Sequence, residues 1–227
     1  MSAIGFYETY DARFQFPFSA VIAGPSLSGK TTFLTKLLEQ TQFLISEKID
    51  LVVWFYGVKT PSLAQLEQKF SRNWFKTIQG LPDVEHLEQY GITQDKKALF
   101  VLDDLAQEAA NCPLIVVLLN NYVHHKNICV FLVLQDLFCP GRFRTTFLKN
   151  VHYLILFRNP LDNNIARIIS HRFMPQNVKV FMDIYNEVFK QPFSYLLLDG
   201  HQRTDNNLRL RTDIFGLGQT VFIPKGK

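Results

Sequence analysis

Gly24-Pro25-Ser26-Leu27-Ser28-Gly29-Lys30-Thr31 sets the frame for the whole chain. The stretch has the form G-x-x-x-x-G-K-[ST] of a phosphate-binding loop. Its surroundings suit that reading. Phe18 to Ala23 before it is a short apolar run that reads as a buried strand. After it, Phe33, Leu34, Leu37 and Leu38 fall at helical spacing, so Lys30 and Thr31 open a helix. Gly24 and Gly29 let the backbone turn tightly and approach a phosphate chain. Loop amides and the helix N-terminus point at those oxygens, and the helix dipole favours their negative charge. Lys30 is expected to reach the β- and γ-phosphates of ATP, and the Thr31 hydroxyl to ligate Mg²⁺.

A phosphate loop of this kind needs a carboxylate at the end of a neighbouring strand to hold the Mg²⁺ shell. Leu99-Phe100-Val101-Leu102-Asp103-Asp104 supplies one: the apolar run is a buried strand and Asp103 stands at its tip. Asp104 then stands where a second carboxylate could act on the attacking water as general base. Many such ATPases carry Glu there, one methylene longer. The competing reading is that the two acids cap the following helix, where Asp is favoured. Gln135 ends another apolar run, Ile128 to Leu134, and from a strand tip can reach the γ-phosphate between the two earlier motifs. A carboxylate directly after the magnesium Asp, with a polar residue on an intervening strand tip, indicates an ATPase that drives motion.

The remaining chain reads as strands alternating with helices. Asp50 to Tyr56 and His152 to Phe157 are further strands, and Trp74 to Ile78 an edge strand. Ser62 to Phe70, Pro113 to His125, and residues 161–171 and 176–189 read as helices. Tyr195 to Leu198 and Leu208 to Ile214 read as a late pair of strands. The expected fold is α/β: a P-loop NTPase of the ASCE type, with a mainly parallel sheet, helices on both faces and a C-terminal antiparallel hairpin. One domain over residues 1–227 is expected, with 1–17 as a lead-in segment and 195–227 as hairpin and tail. The formal charge of +4 permits a polyanionic partner without demanding one. Three scattered cysteines suit a reducing compartment, no secretory signal is visible, and the apolar runs are too short to span a bilayer. An intracellular protein without a membrane partner is expected.

Several segments occur in an order that resembles a known family: Gly24 to Thr31, Trp54 to Gly57, Leu102 to Asp104, His124 to Asn127, Gln135 to Phe138, Arg144 and His152 to Pro160. The chain is similar, from Phe14 to about Phe215, to the virion DNA-packaging ATPases of the FtsK–HerA superfamily. The poxvirus-type enzyme of Maverick/Polinton elements and adintovirus-like viruses is the nearest flavour. The resemblance implies a homo-oligomeric ring that threads double-stranded DNA into a preformed capsid or portal vertex in the infected cell, in the nucleus or at a cytoplasmic assembly site. It also implies an arginine that enters the neighbouring subunit's nucleotide site. Arg144 lies in the matching segment, with Arg142 and Arg158 as alternatives.

Other features carry less. His124 and His125 are adjacent on one expected helix and point apart, which fits a helix C-terminus better than a zinc site. Arg203, Arg209, Arg211, Lys225 and Lys227 form a loose basic region that could meet a DNA backbone or merely solvate a hairpin. The alternatives to a packaging motor are a replicative helicase or helicase loader, a nucleotide or nucleoside kinase, and a nucleotide-gated scaffold. The distant paired aspartates and the lack of an Arg-rich lid argue against the kinase.

Overall fold

Unbroken runs of β-branched and aromatic residues form strands whose two faces are both covered, because a polar side chain would have no outlet on either side. In the computed structural model, which describes residues 11–123, 126–138, 140–142, 148–162, 164–216 and 219–223 (backbone alone at 121 and 122), these runs build one sheet. Its parallel part comprises β1 (Ser19–Ala23), β2 (Leu51–Tyr56), β3 (Phe75–Gln79), β4 (Ala98–Asp103), β5 (Ile128–Leu134) and β6 (Tyr153–Phe157). Three antiparallel strands extend it: β7 (Tyr195–Asp199), β8 (Leu210–Thr212) and β9 (Thr220–Val221). The order across the nine strands is β3-β2-β4-β5-β1-β6-β7-β8-β9. β5 thus separates the strand that precedes the phosphate loop from the strand that carries the aspartates.

Side chains alternate between the faces of the sheet. Ile22, Trp54, Val101 and Phe131 point to one face, where they meet Leu34 and Leu37 of α1 (Lys30–Glu39) and Leu63 and Leu66 of α3 (Pro61–Lys69). A short α2 (Thr41–Leu44) follows α1. The other face carries Val53, Phe100 and Leu132 beneath α4 (Ala106–Asn111), α5 (Pro113–Val117), α6 (Asn164–Phe173) and α7 (Val178–Val188). Helix α7 shows why it lies there: Phe181, Ile184, Tyr185 and Val188 recur on one stripe, and all four are buried. Helix α3 starts one residue before the expected Ser62, with Pro61 in its first turn and the Thr60 hydroxyl accepting from Leu63 N at 3.3 Å.

The described part of the lead-in segment lies on the core. Phe14 is buried against Phe18, Phe131 and Tyr153, and bridges to Ile45. One expectation needs correction: the helix from Pro113 keeps α geometry only to Val117 and then widens into a π turn at Leu118–Tyr122. Helix α4 lies outside the spans that read as helices in the sequence. The late antiparallel pair is present as β7 and β8, with β7 also paired along its whole length with β6 and β9 adding a further strand.

Candidate functional site

The C-terminal ends of β1, β5, β4 and β2 lie side by side. Ala23 pairs with Leu134, Leu102 with Leu132, and Tyr56 with Asp103. The residues that follow these strand ends therefore gather on one edge: the phosphate loop, Gln135, the aspartates and Gly57.

The loop leaves β1 with Gly24 N donating to Leu134 O at 3.2 Å. Gly24 is buried so tightly that a Cβ would stand 2.6 Å from Phe157 Cβ and 3.0 Å from Ser28 Oγ. Leu27 (φ 62°) and Gly29 (φ 108°) take left-handed backbones that coil the chain into a cradle. Pro25 and Ser26 lead into that coil. Gly29 caps α1 without a side-chain acceptor, and no acid occupies the first turn of the helix. Its first amides therefore keep their capacity for an anion. Ser28 Oγ is buried and has no hydrogen-bond partner among the described residues.

Lys30 lies across this cradle, its Nζ donating to Gly24 O at 2.6 Å and Pro25 O at 2.7 Å. Burial holds its pKa below the ordinary lysine value, and the charge of Asp103 works against that shift. Asp103 shows the converse. Burial first, then repulsion from Asp104, push its carboxyl above the usual range, and Lys30 offsets part of this. The Trp54 indole lies under Asp103 and favours its ionised form, although its buried Nε1 completes no hydrogen bond of ordinary length. Thr31, Asp103 and the loop border one cleft of about 610 Å³, together with Asp104 and Gln135. Gln135 Nε2 approaches Asp104 Oδ1 at 3.4 Å. The magnesium, base and sensor positions named from sequence thus meet around one hollow. Hydroxyl and carboxylate oxygens are a donor set that suits Mg²⁺, which keeps most of its shell for water and phosphate.

The arginines divide differently. Arg158 is exposed, donates from Nη1 to Phe189 O at 3.3 Å and lines a hollow beside Pro25 to Ser28 of its own loop. Arg142 is exposed beyond β5, its backbone N donating to Asn111 Oδ1 at 3.3 Å. Arg144, His124, His125, Lys225 and Lys227 lie outside the described residues. The basic C-terminal region needs correction. Arg211 is fully buried in an ion pair with Asp199 and so is no free surface charge, and the half-buried Arg209 is tied down by donating to Asp199 O and His201 O.

Sequence reading missed a second hollow, of about 600 Å³, on the other side of the loop. Phe157, Phe193, Tyr195 and Phe215 line it beside Lys30 and Thr31. Phe193 is 73% exposed and has a left-handed backbone (φ 59°) that turns its ring outward. These residues come from three segments far from the loop in sequence, and no local pattern marks them. A more apolar cavity of about 480 Å³, between α6 and the β6–β7 pair, includes none of the loop or aspartate residues.

No family model matches the chain, and no curated protein matches it in sequence. Solved structures do match. The genome packaging NTPase B204 from Sulfolobus turreted icosahedral virus 2, in complex with sulfate, aligns at TM-score 0.57 and 13% identity, over 96% of this chain and 100% of that one. The same NTPase in complex with ATP-gammaS aligns at 0.52 and 13%, over 92% and 98%. The cytoplasmic domain of the Thermomonospora curvata type VII secretion ATPase EccC aligns at 0.53 and 14%, over 85% of this chain and 26% of that one. At such identities the likeness is one of fold: the chain has the P-loop NTPase fold, in a form it shares with a viral genome-packaging NTPase, as the resemblance read from sequence implies.

Proposed function

We propose that this protein hydrolyses Mg-ATP to drive double-stranded DNA into a viral capsid. One observation carries the reading. A phosphate loop and a tandem aspartate pair flank an intervening strand whose terminal Gln135 already reaches Asp104 at 3.4 Å. The likeness in fold to a packaging NTPase solved with ATP-gammaS supports it.

In this reading the triphosphate enters the cradle, and Lys30 exchanges the Gly24 and Pro25 carbonyls for β- and γ-phosphate oxygens. The first amides of α1 and the unpartnered Ser28 hydroxyl take others. Thr31 and Asp103 would hold Mg²⁺, which supplies charge neutralisation between the phosphates. The adenine ring lies in the aromatic hollow against Phe193, where a ring face offers stacking. Asp104 takes the proton from the attacking water. Gln135, which donates to Asp104, turns to the γ-phosphate when it arrives and so couples occupancy to freeing the general base. Subunits form a ring at a capsid or portal vertex, in the nucleus or cytoplasmic assembly site of the infected cell. Arg144 enters the neighbour's site.

The test is phosphate release by purified protein, with and without long duplex DNA of two unrelated sequences. Duplex stimulation without sequence preference is expected, because phosphate contacts position without reading bases. DNA affinity should fall with salt at a log–log slope of roughly −0.9 per phosphate contact. Lys30→Ala should abolish turnover and leave the fold intact. DNA-independent hydrolysis with phosphoryl transfer to a nucleoside would replace the motor by a kinase. Stimulation confined to single strands would favour a helicase or its loader.

A further inference from the structure

The β2 strand contributes no residue to the loop or the aspartate pair, yet its end meets the pair directly. Pairing with β4 continues past Tyr56, as Gly57 N donates to Asp103 O at 3.1 Å. Gly57 does not need its lack of a side chain for backbone reasons, because its φ is not in the left-handed region. It needs it for space. A Cβ there would stand 2.3 Å from Asp104 O and 3.6 Å from Asp104 Oδ2, and the nearest atom is backbone, which cannot swing aside.

Asp104 itself takes a left-handed backbone (φ 56°), a conformation that Asp tolerates better than most residues but that still needs support. The peptide is fixed on both flanks. Asp103 before it is locked into the sheet through Tyr56 and Gly57, and Leu105 after it is buried at the start of α4. The side chain meets Gln135 across the cleft. Gly57 lies directly behind the Asp104 carbonyl.

We infer that Gly57 is a positioning residue for hydrolysis: the bare tip of β2 is the backstop that holds Asp104 in its left-handed turn and aims its carboxylate into the nucleotide cleft. Any side chain at 57 drives the Asp104 peptide forward and turns the carboxylate away. The loop is not disturbed, because it follows β1, and β4 and β5 stand between β1 and β2. This rests on the assignment of Asp104 as general base. It gives Gly57, the last residue of the Trp54 to Gly57 segment, a role that the resemblance alone leaves open: a residue without Cβ at the end of a strand that carries none of the chemistry.

The experiment compares Gly57→Ala, Asp104→Asn and the double variant for nucleotide affinity, KM and kcat. Gly57→Ala should lose about 100-fold in kcat, the low end of a general-base contribution, with KM and ATP affinity unchanged. The double variant should be no slower than Asp104→Asn, since a backstop has nothing left to aim. Losses that multiply in the double variant, or a Gly57→Ala with wild-type kcat, overturn the inference. If Gly57→Ala does not fold, Asp104→Gly in the same chain should restore folding, because a glycine peptide can yield to the added methyl. Failure to restore it also overturns the inference. An inactive wild-type protein would instead remove the proposed function itself, so the two failures are distinguishable.

Discussion

Asp103 carries a charge that its surroundings in the protein disfavour. Burial and Asp104 raise its pKa above 3.8 by more than Lys30 lowers it, so the opposing effects sum against ionisation. For a carboxyl with a raised folded pKa, the stability gained by protonation is present at low pH and is lost as pH rises through that folded value. At neutral pH the nucleotide-free protein therefore bears the full cost. Asp103→Asn should remove it and raise the melting temperature of the nucleotide-free protein by about 2–4 °C, for a gain of about 1 kcal/mol. The same change should abolish turnover and the stabilisation by Mg-ATP. Thermal scans with and without Mg-ATP check both, and a lowered melting temperature without nucleotide would refute the account. Legibility at this scale follows chain contiguity. Gly24 to Thr31 announce themselves because the cradle is local. Phe193 and Phe215 do not, because only folding brings them to the loop.

The elements were legible where burial is uniform and hidden where it is not. β5 matches its expected span residue for residue, since seven apolar residues in a row have no polar face to confuse the reading. Helix α4 escaped notice because Ala106–Asn111 is six residues long and too short to show a period. The π turn after α5 leaves no mark in composition. Arg211 misled for a physical reason: a guanidinium reads as surface until its partner is known. Here Asp199 on the neighbouring strand accepts from Nη2, and Ala12 O and Gln219 Oε1 accept from Nη1, so β8 is pinned to β7 and to the lead-in segment. Removing one member of a buried pair leaves an uncompensated charge, at a cost of about 3–5 kcal/mol. Arg211→Met should lower stability to urea by that amount, with kcat per folded molecule unchanged. Asp199→Asn added to it removes the second charge but keeps an oxygen for His201 N and Thr204 Oγ1, so it should recover part of the loss, and a double variant as unstable as the single would argue against the ion pair as the cause.

At the scale of the whole molecule the cleft is electrically incomplete. Its walls carry Asp103, Asp104, Glu108 and Asp136 against one ammonium, Lys30, among the described residues. A triphosphate adds further negative charge, and more develops on the γ-phosphoryl oxygens during transfer. Mg²⁺ answers the ground-state excess, but the transition state calls for a second cation aimed from the open side. Arg158 is ill placed for this in its own subunit, since it flanks the outer side of Pro25 to Ser28 rather than the aspartate side. The cation is therefore expected from a neighbouring copy, and Arg144 is the proposed donor, because a guanidinium keeps its charge and can bridge two oxygens. Arg144→Ala should bind Mg-ATP normally and lose about 10³-fold in kcat, the low end for an arginine of this kind. Lys30→Ala should be equally inactive. Mixed in one ring, the two place an intact site against an intact arginine at some interfaces, so activity should return in part. It should peak at intermediate mixing ratios and vanish at either extreme. Mixed rings, verified by mass, that stay inactive at every ratio would exclude Arg144 in trans. The same titration repeated with Arg142→Ala and Arg158→Ala would then show which arginine crosses the interface.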